Sequence, residues 1–296
     1  MKVLIIGGGG MLGHKLQQFF KDRFETWVTL RADADKYRRF NLFDHERTIG
    51  GVDAADLATV VRAFRKAEPE VVVNAVGIIK QLPESEDPIA ALTINSLFPH
   101  RLAALCRATG CRLITLSTDC VFNGRKGLYT EDDVSNAEDL YGRTKFLGEV
   151  RREQCLTLRT SIIGRELTSS HSFVEWFLSN RGGSVRGYSE AIYTGFPTIV
   201  MAEIIARVIQ DHPDLSGLYH VSSDPINKYD LLCLIRDAYG VRVDIEPYAE
   251  YRIDRSLDST RFREITGFVP QPWAKMVEAM ATDPTPYDEW RRTSGS

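Results

Sequence analysis

The first 164 residues alternate short apolar runs with segments of helical periodicity, and this alternation constrains the fold more than any other feature. The runs KVLIIG, EVVVNAVG, RLITLSTD and CLTLRTSIIG are rich in β-branched residues and lack the polar alternation of a half-exposed strand. Strands that are apolar on both faces and separated by helices predict a parallel sheet covered by helices on both sides. We therefore predict an α/β protein with a Rossmann-like, doubly wound parallel sheet.

The regularity is lost after Gly164, where helical segments and short strands no longer alternate strictly. We expect residues 1–164 to form an NAD(P)-binding domain, and residues 165–193 and 223–296 to form a smaller C-terminal α/β substrate-binding domain. Residues 194–222, which contain an apolar helix pattern and the strand-like GLYHVSS, are expected to return to the main sheet. The final RRTSGS is typical of an unstructured tail.

Composition narrows the choice of partners. The net charge of −3 gives no electrostatic basis for binding nucleic acid or an anionic membrane surface. The longest uninterrupted apolar runs are much shorter than the roughly 20 residues of a membrane-spanning helix. Five cysteines without a Cys-x-x-Cys pair indicate reduced thiols, and no cluster with metal-ligand spacing is apparent. We expect a cytoplasmic protein without nucleic-acid, membrane or metal partners, and a homodimer stays an open alternative.

The segment IIGGGGMLG follows the first apolar run and opens the first helix. Gly7, Gly10 and Gly13 give the spacing Gly-x-x-Gly-x-x-Gly. Glycine lets such a turn be tight and lets the main chain approach a pyrophosphate, which then meets the free N–H groups of the helix N-terminus. This context predicts dinucleotide binding. Arg31, near the end of the second strand, suits the 2′-phosphate of NADPH, whereas Asp33 leaves NADH open.

Three polar residues further along suit the reduction of a carbonyl group. Thr118 ends a predicted central strand, where ligands of this fold bind, and its hydroxyl can hold a carbonyl oxygen. Tyr141 and Lys145 in DLYGRTK are neighbours on one face of the next predicted helix, Leu140–Gln154. A phenol with a pKa of about 10 is a poor proton donor near neutrality unless a nearby cation lowers that pKa. We predict that Lys145 is this cation.

Together these segments resemble the extended short-chain dehydrogenases/reductases, and among them the dTDP-4-dehydrorhamnose reductase family (dTDP-4-keto-L-rhamnose reductases). The resemblance rests on GGGGMLG, PEVVVNAVG, STDCVFNG and YGRTKFLGE, with LRTSIIG, GFPT and GLYHVSS further along. It implies an NAD(P)H-dependent oxidoreductase that reduces a 4-keto-6-deoxy nucleotide sugar during the synthesis of polysaccharide precursors. The nucleotide sugar would be its partner and NADPH its cofactor, with NADH as the alternative.

The resemblance also implies roles for individual residues. Tyr141 would be the general acid, Lys145 would lower its pKa and bind the nicotinamide ribose, and Thr118 would bind the substrate carbonyl. Asp119 would support Thr118, and Asn95 would belong to the proton relay. The cofactor would be bound by Gly7, Gly10, Met11, Leu12, Gly13, Arg31, Asp53, Ala54, Ala75, Val76, Gly77, Ser117, Tyr141, Lys145 and Ser161. The candidate substrate-binding residues are Ser172, Phe173, Trp176, Thr198 and Arg261.

Several departures separate this chain from the family pattern and leave the sugar open. The family's tyrosine after Ser-Thr-Asp is Cys120 here, which we interpret as a small residue lining the site, and its later aspartate is Asn123. The residues that precede Tyr141 in DLYGRTK also differ from the family pattern. Two other functions remain as alternatives. One is a nucleotide-sugar epimerase with tightly bound NAD, and the other is a non-catalytic NADP-binding regulatory subunit. The regulatory subunit of methionine adenosyltransferase resembles this family, but intact Thr118, Tyr141 and Lys145 favour an enzyme.

Overall fold

The described chain, residues 1–292 of a computed structural model, contains helices and strands in an alternating order. The strands are Lys2–Ile6 (β1), Glu25–Thr29 (β2), Thr48–Ile49 (β3), Val71–Asn74 (β4), Arg112–Thr118 (β5), Cys155–Thr160 (β6), Ile162–Ile163 (β7), Ser184–Tyr188 (β8), Ala191–Tyr193 (β9), Phe196–Pro197 (β10), Gly217–His220 (β11), Ile226–Asn227 (β12), Asp244–Tyr248 (β13) and Ile253–Asp254 (β14). The α-helices are Gly13–Phe20 (α1), Leu57–Ala67 (α2), Pro88–Ala91 (α3), Phe98–Thr109 (α4), Leu140–Leu147 (α5), Phe173–Ser179 (α6), Thr198–Asp211 (α7), Lys228–Tyr239 (α8), Thr260–Thr266 (α9), Trp273–Ala281 (α10) and Tyr287–Arg292 (α11).

A seven-stranded sheet forms the centre, in the order β3–β2–β1–β4–β5–β6–β11, and every neighbouring pair is parallel. Side chains of β1 alternate between two apolar clusters: Val3 and Ile5 belong to one, and Leu4 and Ile6 belong to the other. All four are buried because both faces of the sheet are covered. The predicted doubly wound α/β fold is therefore confirmed, and the carboxyl ends of β1, β4 and β5 meet at one edge.

Residues after Gly164 mostly form smaller sheets. β9 lies between β12 and β14, β8 pairs with β13, and β10 pairs with β7. β11, which lies within residues 194–222, instead extends the main sheet beside β6, with Leu218 opposite Thr157. The boundaries of the two predicted domains themselves stay a prediction.

The helical stretch Pro88–Thr109 contains a π-helical turn at Leu92–Leu97. Pro99 explains this turn, because proline has no N–H to donate to the carbonyl four residues earlier and its ring would clash with it. That carbonyl belongs to Asn95, and it packs closely against Gly148, where any side chain would collide with it. The π-helical turn thus brings Asn95 against the end of α5.

By length and composition alone, the 22 residues of Pro88–Thr109 could cross a membrane. The uninterrupted apolar runs of the sequence predicted no such stretch, because this helix mixes apolar and polar residues. Core helices of soluble proteins meet the same criterion, and Phe98, Leu102 and Cys106 belong to an apolar cluster against the sheet.

The helix predicted over Leu140–Gln154 ends earlier, at Leu147. Gly148 follows and lies against the neighbouring helix, and the side chain of Glu149 then turns inward and is almost completely buried. The prediction was wrong at this end because a buried ion pair between Glu149 and Arg159 outweighs the helical propensity of the following residues.

The prediction of an unstructured C-terminal tail was wrong for its first two residues, which belong to α11. Arg291 lies on α11, and its guanidinium donates to the carbonyls of Glu166 and Ser169 at 2.9 Å each. It also forms an ion pair with Glu175 at 2.8 Å. The remainder of that prediction, residues 293–296, lies outside the described residues.

Candidate active site

Close contacts shape the glycine loop between β1 and α1. Gly7 has a φ of +92°, in the left-handed region that favours glycine, and a Cβ on it would lie 2.7 Å from the Val76 side chain. The N–H groups of Gly7 and Gly8 donate to the hydroxyl and carbonyl of Thr29 on β2, at 3.1 and 2.8 Å. The loop is thereby fixed between β2 and the segment after β4.

Gly10 differs from these residues, because a Cβ on it would meet nothing closer than 3.4 Å. The fold therefore does not require glycine at this point, and the missing side chain leaves the loop open to a ligand. Within residues 1–292, the N–H groups of Met11 and Leu12 make no hydrogen bond, as is usual for the first turn of a helix. Gly13 packs directly against the Gly7 carbonyl. Free donors at a helix N-terminus fit a pyrophosphate.

His14 fixes this loop from the protein interior. Its Nδ1 donates to the Gly10 carbonyl at 2.8 Å, and its Nε2 accepts from the Tyr287 hydroxyl of α11 at 2.7 Å. Complete burial lowers the pKa of His14 to about 4, so its imidazole is neutral near pH 7. His14 was not predicted as a site residue, because no local sequence pattern indicates a contact across 273 residues.

The residues predicted for the adenosine end lie close together beyond β2 and β4. The Arg31 guanidinium is 85% exposed and lies 4.0 Å from the Asp53 carboxylate, and Ala54 beside it is buried. Ala75 donates its N–H to the Ile6 carbonyl at 2.9 Å, which holds the loop after β4 against the glycine loop. An exposed guanidinium here suits a 2′-phosphate, and the adjacent carboxylate suits ribose hydroxyls.

Thr118, Asp119 and Tyr141 form the catalytic end of the candidate site. The Thr118 hydroxyl, at the end of β5, donates to Asp119 at 3.0 Å and accepts from the Cys120 N–H at 3.1 Å. Gly142, the residue after Tyr141 on α5, packs against the Cys120 carbonyl; burial raises the pKa of Tyr141, and the neighbouring Thr118 hydroxyl opposes the rise. Burial likewise raises the pKa of Asp119, and that of the Cys120 thiol to about 12, so Cys120 is no thiolate nucleophile.

Lys145 lies one turn after Tyr141 and is held from the sheet. Its Nζ donates to the Leu116 carbonyl of β5 at 2.7 Å, and burial lowers its pKa to about 8 against the attraction of Glu149. A Cβ on Gly77 would lie 3.8 Å from this Nζ, so the loop after β4 borders the ammonium group. The predicted lowering of the Tyr141 pKa by Lys145 stays a prediction.

Asn95 connects the loop after β4 with the catalytic helix. Its side chain accepts from the Ile78 N–H at 2.9 Å and donates to the Ile78 carbonyl at 3.1 Å. Its amide also lies 3.5 Å from the Thr144 hydroxyl on α5. Asn95 is thus placed beside Gly77 and near Lys145, where a proton relay was predicted.

A buried ion pair lies beneath this helix. Arg159 on β6 is completely buried and donates to both oxygens of Glu149, at 2.6 and 2.8 Å. The Ser117 hydroxyl donates to the same carboxylate at 2.8 Å, so the side chain of this predicted cofactor residue is already engaged. His220 accepts from Arg159 at 3.1 Å, and burial lowers its pKa to about 3. This network ties α5 to β5, β6 and β11.

Among the candidate substrate residues, Phe173 is connected to the catalytic end through Lys228. The Lys228 ammonium is 5.9 Å from its ring, and the charge of Lys228 acts on Asp119. Trp176 is 40% exposed, with its ring centroid 6.0 Å from that of Phe173. Ser161, predicted to face the nicotinamide, lies beside Tyr193 between β6 and β7.

Ser172, Thr198 and Arg261 make other contacts. The Ser172 hydroxyl donates to the Gly164 carbonyl at 2.9 Å, and the Thr198 side chain packs against Gly164. Arg261 lies 4.0 Å from Asp132, at the surface. None of these three bonds to a predicted catalytic residue within residues 1–292, so their contact with substrate stays a prediction.

Three cations that the sequence analysis missed lie around Asp119 and Cys120. Arg255 Nη1 is 3.7 Å from the Cys120 sulfur, and the charges of Lys228 and Lys80 act on Asp119 and Cys120 respectively. No local signal could have identified Arg255, because 135 residues separate it from Cys120. In the described part of the chain, no three His, Cys, Asp or Glu side chains are grouped so that they could hold a metal ion.

Comparisons with known proteins identify the family. The chain is 27% identical to methionine adenosyltransferase 2 subunit beta of Xenopus tropicalis, over 94% of this chain and 80% of the relative. It is 28% identical to the spore coat polysaccharide biosynthesis protein SpsK of Bacillus subtilis (strain 168), over 93% of this chain and 95% of that relative. Its fold is similar to a dTDP-4-dehydrorhamnose reductase from Bacillus anthracis str. Ames in complex with NADP, with a TM-score of 0.78, 20% identity, and coverage of 96% and 100% of the two chains. Residues 1–285 match the family described as RmlD substrate binding domain, and the chain therefore belongs to this family, as its motifs indicated.

Proposed function

We propose that this chain is an NADPH-dependent reductase of the 4-keto group of a 6-deoxy nucleotide sugar, acting in the cytoplasm in the synthesis of polysaccharide precursors. The observation that carries the proposal is the placement of α5 against the end of β5: the Lys145 Nζ donates to the Leu116 carbonyl at 2.7 Å, and Tyr141, one helical turn earlier, is near the Thr118 hydroxyl that opposes the rise in its pKa. The relatives support it, because one is a polysaccharide biosynthesis protein and a solved structure with the same fold is a reductase in complex with NADP.

The cofactor fits the loops at the carboxyl edge of the sheet. The free N–H groups of Met11 and Leu12, and the open approach at Gly10, suit the pyrophosphate. Arg31 suits the 2′-phosphate of NADPH, and Lys145 suits the nicotinamide ribose. When bound, the reduced nicotinamide supplies the hydride.

The side chains supply orientation and a proton. The hydroxyl groups of Thr118 and Tyr141 hold the carbonyl oxygen of the substrate, and they stabilise the negative charge that develops on it. Tyr141 transfers its phenolic proton to that oxygen. Lys145, with a pKa of about 8, is mostly protonated near pH 7, and its charge stabilises the tyrosinate that remains.

Replacing Tyr141 with Phe tests the proposal directly, because the ring stays and the proton donor is lost. We expect turnover of dTDP-4-dehydrorhamnose, followed by the loss of NADPH absorbance, to fall about 10²–10⁴-fold, while the Kd of NADPH changes little. Tyr251→Phe is the matched control, since Tyr251 is 47% exposed and lies outside the candidate site. Equal turnover in the wild-type and Tyr141→Phe enzymes would refute the assignment.

A second function is favoured by the similarity to methionine adenosyltransferase 2 subunit beta. A chain with that role binds NADPH as a regulatory subunit and has no turnover of its own. A screen of dTDP-, UDP-, GDP- and CDP-linked 4-keto sugars with NADPH and NADH distinguishes the two functions. Oxidation of either cofactor with any of these sugars supports the reductase, and cofactor binding without any oxidation supports the regulatory subunit.

A further inference from the structure

Two half-buried cations of the C-terminal part of the chain border the catalytic end without an acidic partner. Arg255 follows β14, and its Nε donates to the Phe122 carbonyl at 2.8 Å. Its Nη1 lies 3.7 Å from the sulfur of Cys120, two residues after Thr118. Among residues 1–292, no carboxylate lies within ion-pair distance, 4.0 Å, of this guanidinium.

Lys228 is the second cation. It is the first residue of α8, and its ammonium lies 5.9 Å from the ring of Phe173. The described chain provides no ion pair for this ammonium either. Burial lowers the pKa of Lys228, and the negative charge of Asp119 opposes this effect, which places Lys228 near the same carboxylate that Arg255 influences.

The local charges do not cancel. Lys80, the third cation near Cys120, is neutralised by Asp139 at 2.7 Å. Arg255 and Lys228 both act on Asp119, whose pKa is raised by burial, and Arg255 also acts on Asp139. Arg255, Lys228 and Lys80 are thus three cations against the two carboxylates of Asp119 and Asp139, which leaves an excess of positive charge, and such charges are normally paired. An anionic group of a ligand would neutralise this excess positive charge.

We propose that Arg255 and Lys228 form an oxyanion subsite that binds a negatively charged group of the substrate, close to the reacting carbonyl. The inference rests on the proposed function and specifies its substrate. Cys120 contributes space, because its short side chain lets Arg255 reach the residues next to Thr118. Arg255 and Lys228 are thus residues that determine specificity.

The oxyanion has two sources in a nucleotide sugar. It is either a carboxylate on the sugar ring or the diphosphate that joins sugar and nucleoside. A 6-deoxy sugar carries a methyl group at C6, which offers nothing to a guanidinium. The first source therefore changes the sugar from a 6-deoxyhexose to a hexuronic acid, whereas the second leaves the sugar as proposed above.

Equilibrium binding to the full chain with NADP⁺ bound tests the subsite without turnover. The probes are UDP-glucose, dTDP-glucose and UDP-glucuronate, with inorganic pyrophosphate as competitor, each measured by calorimetry. We expect Arg255→Gln and Lys228→Met each to weaken binding of at least one probe about tenfold, because each removes a charge-assisted contact. The control is Arg236→Gln, which removes a cation from the far end of α8. NADP⁺ binding and the thermal midpoint report whether each variant is folded.

The pattern of losses identifies the source. Weaker binding of UDP-glucuronate alone indicates the sugar carboxylate, and an equal loss for all three sugars and for pyrophosphate indicates the diphosphate. Unchanged binding of every probe in both folded variants overturns the subsite. If the wild-type chain binds no nucleotide sugar, the proposed function fails, and pyrophosphate then decides the subsite: weaker binding in the variants supports it, and equal binding overturns it.

Discussion

The cofactor side and the substrate side of the candidate active site are built from different groups. On the cofactor side, a ligand meets main-chain N–H groups of a glycine loop, and the charged side chains beneath are paired with each other, as Glu149 is with Arg159. On the substrate side, a ligand meets the side chains of Lys228 and Arg255, for which residues 1–292 provide no ion pair.

The difference separates what the fold determines from what the individual chain determines. Main-chain donors at a helix N-terminus recognise the pyrophosphate that every dinucleotide carries, so the cofactor side indicates a class of reaction. Charged side chains without partners distinguish one ligand from another, because a wrong ligand leaves their charge uncompensated. The substrate side therefore indicates which sugar is bound, and it is where variants should alter specificity with little loss of stability.

The largest effect is expected from the buried pair beneath α5. Arg159→Met leaves the Glu149 carboxylate buried, with the Ser117 hydroxyl, the exposed Arg151 and the charge of Lys145 as its remaining described interactions. We expect the free energy of unfolding to decrease by about 3–5 kcal/mol, measured by urea denaturation, because a buried charge that loses its partner is strongly destabilising.

Arg151→Met is the matched control for this prediction. Arg151 is 51% exposed and lies 3.3 Å from the same carboxylate, so its removal should cost less than about 1 kcal/mol. Arg255→Gln should also be mild, since among residues 1–292 Arg255 has no ion-pair partner whose charge would be left buried. If Arg159→Met were no more destabilising than these two variants, the proposed contrast would be wrong: the charged side chains of the cofactor side would not depend on their ion pairs more than those of the substrate side.

The same contrast explains which features the sequence predicted. The sheet, the glycine loop and the pair of Tyr141 and Lys145 depend on residues a few positions apart, where periodicity and turn chemistry act. The end of α5 was misplaced because Glu149 is drawn into the interior by Arg159, which lies on another element. Helical propensity is a property of the local sequence and does not include such a contact.

Residues that act through long-range contacts were not found. His14 reaches the C-terminal helix, and Arg255 reaches Cys120, across 273 and 135 residues respectively. Ser172 was predicted as a substrate residue; its hydroxyl caps α6 and bonds to a buried carbonyl, and its contact with substrate stays a prediction. A polar residue in a loop looks the same in sequence whether it serves a ligand or the backbone.

A smaller effect is expected from the titration of Lys145 on the cofactor side. Its pKa is lowered to about 8 by burial, so its ammonium is present below this pH and is lost above it. If the charge assists Tyr141, kcat/KM should fall about tenfold for each pH unit above roughly 8, because kcat/KM reports groups of the free enzyme. The measurement is a pH profile of NADPH oxidation.

Lys145→Arg tests whether the decline of kcat/KM above pH 8 is caused by the ionisation of Lys145. A guanidinium keeps its charge throughout the range, so any remaining activity should lose the decline above pH 8. Lys66→Arg, on the exposed end of α2, should leave the profile unchanged. If the decline of kcat/KM above pH 8 persists in Lys145→Arg, the ionisation belongs to another group.

The smallest effect is expected at the adenosine end, where the cofactor side does use an exposed charge. Arg31→Ala removes a guanidinium that is 85% exposed, so we expect only a threefold to tenfold decrease, roughly, in the preference for NADPH over NADH. The measurement is the ratio of kcat/KM values for the two cofactors at low and high salt. Arg125→Ala removes another largely exposed arginine, paired with Glu138, and should leave the ratio unchanged. A ratio that is also unchanged in Arg31→Ala would mean that Arg31 does not bind the 2′-phosphate, and that charge recognition is confined to the substrate side.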